Sequence, residues 1–275
     1  MVRSDSRVDV SASSLHRLEE LSRAAGEAIL DYYEDSSSPV DARSKSDGSP
    51  VTRADHAAHV VIVTELAKWD PEVPVISEEG TIPPYAERSG WTRFWLVDPL
   101  DGTKEFISRN GEFTVNIALI EDGEPVMGVI HAPAIHTTYV AGKGLGSWRV
   151  EAGGDRFAIS SSPGQPNTPL RVVESRSHGS PELETYLATL EVGERVRVGS
   201  SLKFCRVAEG RADIYPRLGP TMEWDVAAGD CIYRNSAPFG PHLSSLTYNK
   251  PDLRNGPFVL GLGDPAGVFS PAASG

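Results

Sequence analysis

The sequence predicts a mixed α/β fold of the α+β kind, and three observations predict it. Helical apolar spacing fills two segments near the N-terminus. A run of β-patterned segments joined by short turns follows. Through the second half, helical and strand patterns alternate. With 275 residues, 39% of them hydrophobic, the chain can build one large domain or two small ones sharing a core. A charged fraction of 23% is near the globular average and argues against bulk disorder or coiled coil.

Residues 1–12 read as a polar, loosely held extension. From Ser14, a helix is predicted by Leu15, Leu18, Leu21, Ala25, Ile29 and Leu30, which fall near one face. Residues 36–50 are rich in Ser, Asp, Gly and Pro and read as a loop. Thr52 is a candidate N-cap for a second helix to about Lys68, with Val60, Val63 and Leu66 expected inward. Residues 74–77 form a short strand that delivers Glu78 and Glu79, followed by a polar loop, 81–90, with the character of a lid. Residues 94–97 are a buried strand, expected to stop at Pro99. Segments 112–120, 125–131 and 138–141 are β-patterned, and Glu121-Asp122-Gly123 marks a hairpin turn between the first two. Residues 151–168 are the best candidate linker. Beyond it come a strand at 171–173, a helix at 181–190 opened by Ser180 and Pro181, and a helix at 201–209 ended by Gly210. A strand at 212–215 and a helix at 225–233 follow. Phe106, Phe113 and Trp148 are expected in the core.

The 26 basic and 38 acidic residues give a formal charge of −12, against non-specific binding to nucleic acid or a membrane surface. An anionic substrate stays compatible, because a divalent cation inverts the local sign. No apolar run approaches the roughly 18–20 residues needed to span a bilayer. The N-terminus shows no apolar signal core. Two cysteines, Cys205 and Cys231, make no metal pattern and read as structural thiols of a reducing compartment. A cytoplasmic protein is expected.

The densest chemical signal is Trp95-Leu96-Val97-Asp98-Pro99-Leu100-Asp101-Gly102-Thr103-Lys104-Glu105-Phe106. A buried strand ending in two carboxylates is costly unless something positive binds there. Mg²⁺ takes oxygen ligands: carboxylates, carbonyls, waters and phosphate oxygens. Pro99 fixes the turn so that Leu100 can present its carbonyl, and Gly102 permits a tight turn. A helix starting near Thr103 would aim the Gly102 and Thr103 amides at an anion. By itself the segment also fits a surface turn. Ser77-Glu78-Glu79-Gly80 also fits a solvated loop entry, Asp225 in Glu223-Trp224-Asp225 an N-cap, and Asp55 a helix-dipole partner. The sequence holds no GxSxG elbow, no cysteine beside a phosphate-cradling arginine loop and no P-loop, so direct attack by water fits better than a phosphoenzyme.

In their order and intervals, these pieces resemble the lithium-inhibited, Mg²⁺-dependent phosphatase superfamily of inositol monophosphatase and fructose-1,6-bisphosphatase. The stretches carrying the likeness are SPVTRAD (49–55), PVISEE (74–79), WLVDPLDGTKEFISRNGEFTVNIALI (95–120), ESRSH (174–178), GSSLKFCRVAEGRADIYPRLGPT (199–221) and WDVAAGD (224–230). A looser match falls on Asn255-Gly256-Pro257-Phe258. The NGEFTVNIALI, SRSH and SSLKFC stretches resemble the 3′(2′),5′-bisphosphate nucleotidase branch. The resemblance implies a layered α/β/α/β/α sandwich with a metal-binding α+β part (13–168) and a smaller α/β part (169–275). It implies that Glu78, Asp98 and the Leu100 carbonyl hold one Mg²⁺, and that Asp98, Asp101 and Asp225 hold a second. Asp55 would lie near a third metal or its waters. Thr103, networked with Glu78 or Asp55, would orient the attacking water, and the Gly102 and Thr103 amides would hold the departing phosphate. Ser200, Lys203 and Arg217 match nucleotide-binding positions, plausible for a remote 5′-phosphate, and His178 matches a residue near the nucleoside. The implied substrate is a small nucleotide, 3′-phosphoadenosine 5′-phosphate (PAP), with action on its sulfated relative PAPS as an extension. Inositol monophosphate or fructose 1,6-bisphosphate hydrolysis is the alternative. The oligomeric state stays open between monomer and homodimer.

Overall fold

In the computed structural model, residues 8–34, 43–44, 50–162, 168–177, 179–236 and 246–261 are described. Helix α1 (Ala12–Tyr33) starts where the Ser14 N–H donates to Ser11 Oγ at 3.2 Å. The predicted Leu15, Leu18, Leu21, Ala25 and Ile29 are all buried on its inner face. Residues 8–11, expected to be loose, are tied down: Val8 is buried and its N–H donates to Asp70 Oδ2 at 3.1 Å. A short ladder joins β1 (Arg43–Ser44) to β2 (Pro50–Val51) inside the segment read as a loop. Helix α2 (Arg53–Trp69) opens with a capping box between Thr52 and Asp55. Its buried face is Ala54, Ala58, Ile62, Leu66 and Trp69. The expected Val60 is instead 47% exposed, and Val63 is half-buried. The run Val60-Val61-Ile62-Val63 offered several registers, and the small Ala54 and Ala58 decide it by letting the helix lie close on the sheet.

Among the described residues, seven strands form one sheet in sequence order: β3 (Val75–Ser77), β4 (Arg93–Asp101), β5 (Thr114–Glu121), β6 (Glu124–Ala132), β7 (Thr137–Gly142), β8 (Gly146–Val150) and β9 (Arg156–Ala158). β3 runs parallel to β4, and the remaining pairs are antiparallel. The β5–β6 turn has Asp122 at φ 50° and Gly123 at φ 80°, the left-handed pair a tight hairpin needs. Pro99 does not stop β4. The strand continues to Asp101 through a register shift between Asp98 and Asp101, where a residue without an N–H is tolerated. The expected linker also contributes to the fold, supplying β9 as the sheet's last strand.

The second half contains β10 (Leu170–Ser175), α5 (Pro181–Leu187), β11 (Val192–Val198), α6 (Leu202–Ala208), β12 (Ile214–Arg217), β13 (Thr221–Met222), α7 (Glu223–Arg234), β14 (Arg254–Asn255) and β15 (Phe258–Gly261). Between β3 and β5 lie two short helices, α3 (Tyr85–Arg88) and α4 (Thr103–Ile107). β11, β10, β12 and β15 form a second sheet in that order. Sequence reading missed β11, whose Val-Gly-Glu-Arg-Val-Arg-Val is masked by charge. It is an edge strand whose Arg195 and Arg197 pair with the buried Glu174 at 2.6 and 2.8 Å.

Alternation along β4 shows why the layers form. Trp95 and Val97 join α1 and α2 in one core, while Phe94 and Leu96 join α6 and α7 in another. α6 and α7 in turn cover the second sheet, where the Phe204, Tyr215 and Phe258 rings lie 5.5–6.0 Å apart. Leu183, Tyr186 and Leu187 of α5 close its outer side over Val172 and Ile214. The stack is α/β/α/β/α, the layered sandwich the sequence resemblance implied. Phe106 and Phe113 are in the core against Tyr33, with ring centroids 5.4 and 4.8 Å away. Trp148 is only half-buried, with the Arg156 guanidinium 4.9 Å from its ring centroid.

Candidate active site

Every chain segment singled out for acidic chemistry ends at the junction of the two sheets. β3 and β4 run side by side, so Glu78 leaves β3 next to β4, its N–H bonded to Val97 O at 3.0 Å. Asp98 sits at the register shift in β4, 1% exposed, and its Oδ1 accepts from Leu100 N at 3.2 Å. Asp101 ends the strand. Gly102 then takes φ 87°, which an L side chain rarely adopts, and turns the chain into α4 at Thr103. Asp225 comes from the first turn of α7, where Met222 N donates to its Oδ2 at 2.8 Å. It is the third helical residue rather than the N-cap.

Glu78, Asp98, Leu100, Asp101, Gly102, Thr103 and Asp225 line one cavity of about 250 Å³. Lys203, Ser200 and Arg217 line the same cavity. Burial raises the Asp98 carboxyl well above the usual range, and the neighbouring Glu78, Asp101 and Asp225 raise it further. Asp225 is raised by burial, then by Asp101 and Glu78. Carboxylates that raise one another in a desolvated cavity favour a cation among them. Among the described residues, no group of three or more Asp, Glu, His or Cys side chains could hold a metal ion as it stands. The four carboxylates share the cavity and would have to draw together on the ion. The donor set, hard oxygens with a strand carbonyl beside them, fits Mg²⁺.

Asp55 stands just behind this wall, 2% exposed. One oxygen takes the Thr52 N–H at 2.8 Å and the Thr52 hydroxyl at 2.6 Å; the other accepts from Thr103 Oγ1 at 3.3 Å. It is therefore both a capping residue of α2 and the partner of Thr103. Asp55 is one of the two partners expected for Thr103, and Leu100 O is a second acceptor for its hydroxyl at 3.4 Å.

Of the two cations, Lys203 is 6% exposed, with Nζ donating to Ser200 O and lying 5.7 Å from the Tyr215 ring centroid. Burial lowers it to about 8, against the pull of Asp101. Arg217 donates to Pro220 O at 3.2 Å, while its buried Nε has no hydrogen-bond partner. A second cavity, of about 510 Å³, adjoins the first and shares Ser175, Tyr215 and Arg217 with it. His178 lies outside the described residues.

The profile of the inositol monophosphatase family matches residues 12–236, from the first residue of α1 to just past α7. The chain belongs to the inositol monophosphatase family. Within that family it is similar to the 3′(2′),5′-bisphosphate nucleotidase CysQ of Escherichia coli K12: 51% identical over 224 residues, 82% of this chain and 87% of that protein. Among solved structures, CysQ from Bacteroides thetaiotaomicron superposes with a TM-score of 0.77 at 42% identity, over 90% of this chain and 97% of that one. The inositol monophosphatase from Anabaena (Nostoc) sp. PCC 7120 superposes less closely, with a TM-score of 0.65 at 26% identity over 82% and 81%.

Sequence reading missed the buried floor of this family site. Ser200 Oγ donates to Asp101 Oδ2 at 2.6 Å and lies 2.5 Å from Thr114 Oγ1. Thr114 and Ser201 both donate to Asn116 Oδ1, at 2.9 and 2.7 Å. Ser200, called as a nucleotide contact, thus also holds a carboxylate in place. The available signal was period-two polarity, Thr114 and Asn116 inside an otherwise apolar strand.

Proposed function

We propose that this chain is a Mg²⁺-dependent 3′(2′),5′-bisphosphate nucleotidase that hydrolyses the 3′-phosphate of PAP to AMP and phosphate, with PAPS as a further substrate. The observation that carries the choice of substrate is the mixed lining of one cavity. Four carboxylates line it together with two cations, the buried Lys203 and the half-buried Arg217. A substrate with one phosphate needs only the metal ligands. A second phosphate gives Lys203 and Arg217 a charged partner. The names of the CysQ relatives point the same way.

Glu78, Asp98, the Leu100 carbonyl, Asp101 and Asp225 would hold two Mg²⁺ ions, with Asp55 beside a third. Mg²⁺ supplies Lewis acidity toward water and phosphoryl oxygens. Asp55 orients the Thr103 hydroxyl, which leaves an Oγ1 lone pair to accept a hydrogen bond from an attacking water and so holds that water in line. The left-handed turn at Gly102 sets the Gly102 and Thr103 amides at the cavity wall, where they donate to phosphate oxygens. Lys203 and Arg217 hold the 5′-phosphate so that the 3′-phosphate is positioned before reaction. The cavity lined by Ser175, Ser177 and Arg217 receives the nucleoside. Residues 13–168 form the metal-binding α+β part and 169–275 the smaller α/β part, which adds Asp225 to the metal ligands. Among the described residues no helix is long and apolar enough to cross a membrane. A cytoplasmic enzyme is the reading that the two cysteines, both free and buried, support.

The test is phosphate release from PAP, PAPS, inositol 1-phosphate and fructose 1,6-bisphosphate with Mg²⁺. PAP is expected to lead in kcat/KM by tenfold or more. A lead of that size for either sugar-type substrate would replace this reading with the alternative.

A further inference from the structure

The segment after Glu79 was expected to act as a lid, yet it is clamped. Arg88 is 2% exposed, and its guanidinium donates to Pro83 O, Asn249 Oδ1, Lys250 O and Pro251 O at 2.7–3.2 Å. Asn249 returns its amide to Arg88 O at 2.7 Å and adopts φ 65°, a left-handed conformation held by these bonds. From the other side, Glu223 has no exposed surface. Its carboxylate accepts Asn249 N at 2.7 Å, Lys250 N at 2.9 Å and Lys250 Nζ at 2.7 Å. Lys250 Nζ also donates to Asn255 Oδ1 at 2.9 Å, and Asn255 donates to Met222 O at 3.1 Å.

The two ends of this chain of contacts are informative. Glu223 opens α7 two residues before Asp225, and Met222 N is the donor that holds Asp225 Oδ2. Arg88 anchors the segment that begins at Glu78. A buried guanidinium and carboxylate are costly to desolvate and persist only where fully paired, here with the half-buried Lys250 ammonium among the partners. We infer that Arg88, Asn249, Lys250 and Glu223 form a positioning strap, which sets the spacing between Glu78 and Asp225 and so pre-organises them for a divalent cation. None of the four lines the cavity, so each acts through another residue. This inference rests on the metal-binding reading above.

The test is Mn²⁺ titration of the full chain, followed by the spin-resonance signal of free Mn²⁺, for wild type, Lys250→Met, Lys250→Arg and Asn249→Gly. Glycine keeps the left-handed backbone at 249 while deleting the amide, so Asn249→Gly decides the matter if Lys250→Met does not fold. The strap predicts at least a tenfold loss of Mn²⁺ affinity in Lys250→Met and Asn249→Gly, the size typical for partners that orient metal ligands. It predicts partial recovery in Lys250→Arg, and a kcat restored by excess Mg²⁺ with KM for PAP unchanged. Folded variants with Mn²⁺ affinity within twofold of wild type would overturn it, even if less heat-stable. A wild-type chain that binds no Mn²⁺ would instead remove the metal reading, and the strap with it.

Discussion

Asp98 is the residue on which the proposed chemistry turns, because it is buried among three other carboxylates and has the least access to water of the four. Asp98→Asn keeps the volume and removes the charge. It is expected to lower kcat on the order of 10²–10³-fold, with the fold intact by circular dichroism; unchanged turnover would contradict its role. Lys203 gives a prediction in pH. Burial lowers it to about 8, so the ammonium is present below that pH and lost above it. In the free enzyme, kcat/KM for a bisphosphate should fall with unit slope above about pH 8. Lys203→Arg should move that limb to higher pH, since a guanidinium stays charged. At this scale the acidic residues were legible because carboxylates at the end of an apolar strand need a reason. The Thr114–Asn116–Ser200–Ser201 floor was not. Its members are far apart in sequence, Thr114 from Ser200 by 86 positions, and common polar side chains carry no signal until the fold brings them together.

Among the elements, α7 holds the architecture, because two glycines let it approach its neighbours. A Cβ at Gly128 in β6 would lie 2.8 Å from Cys231 Cβ, and one at Gly229 would lie 2.4 Å from Phe204 Cγ. The second contact fixes α6, with Lys203, against α7, with Asp225. Gly229→Ala is therefore expected to cost about 1–3 kcal/mol of stability by urea unfolding. Adding Phe204→Leu should recover part of it non-additively; strictly additive losses would show that the pair does not share the space. His131 in β6 offers a second element-level prediction. It is 7% exposed, with Nδ1 2.9 Å from Thr138 Oγ1. Burial lowers it from 6.5 to about 4. The neutral ring is favoured in the fold, so its contribution is complete above pH 6.5 and is lost as pH falls toward 4. The amount is about 3 kcal/mol by linkage. His131→Asn should flatten the stability profile across that window. Long periodic elements such as α1 and β4–β7 were readable from sequence because burial on one or both faces imposes a period. β8, β9, β11 and β13–β15 were not, because strands of two to seven residues show too little alternation to read and take their pairing from neighbours that only the fold supplies.

For the whole molecule, the fold brings four carboxylates and two cations to one cavity, between two sheets that share the core around α6 and α7. The sandwich was legible only through the family resemblance; periodicity alone gave an α+β fold without its layer order. The metal ligands have a consequence that distinguishes the site from general anion binding. Li⁺ should inhibit by competing for one Mg²⁺ position, so its effect should weaken as Mg²⁺ is raised. The central claim is that Glu78, Asp98, Asp101 and Asp225 gather divalent metal in that cavity. A crystal soaked in Mn²⁺ and measured for anomalous scattering tests it most directly. The account predicts two strong peaks shared by these four carboxylates, each about 2.1 Å from its nearest oxygens. Peaks elsewhere, or none between β4 and α7, would contradict it.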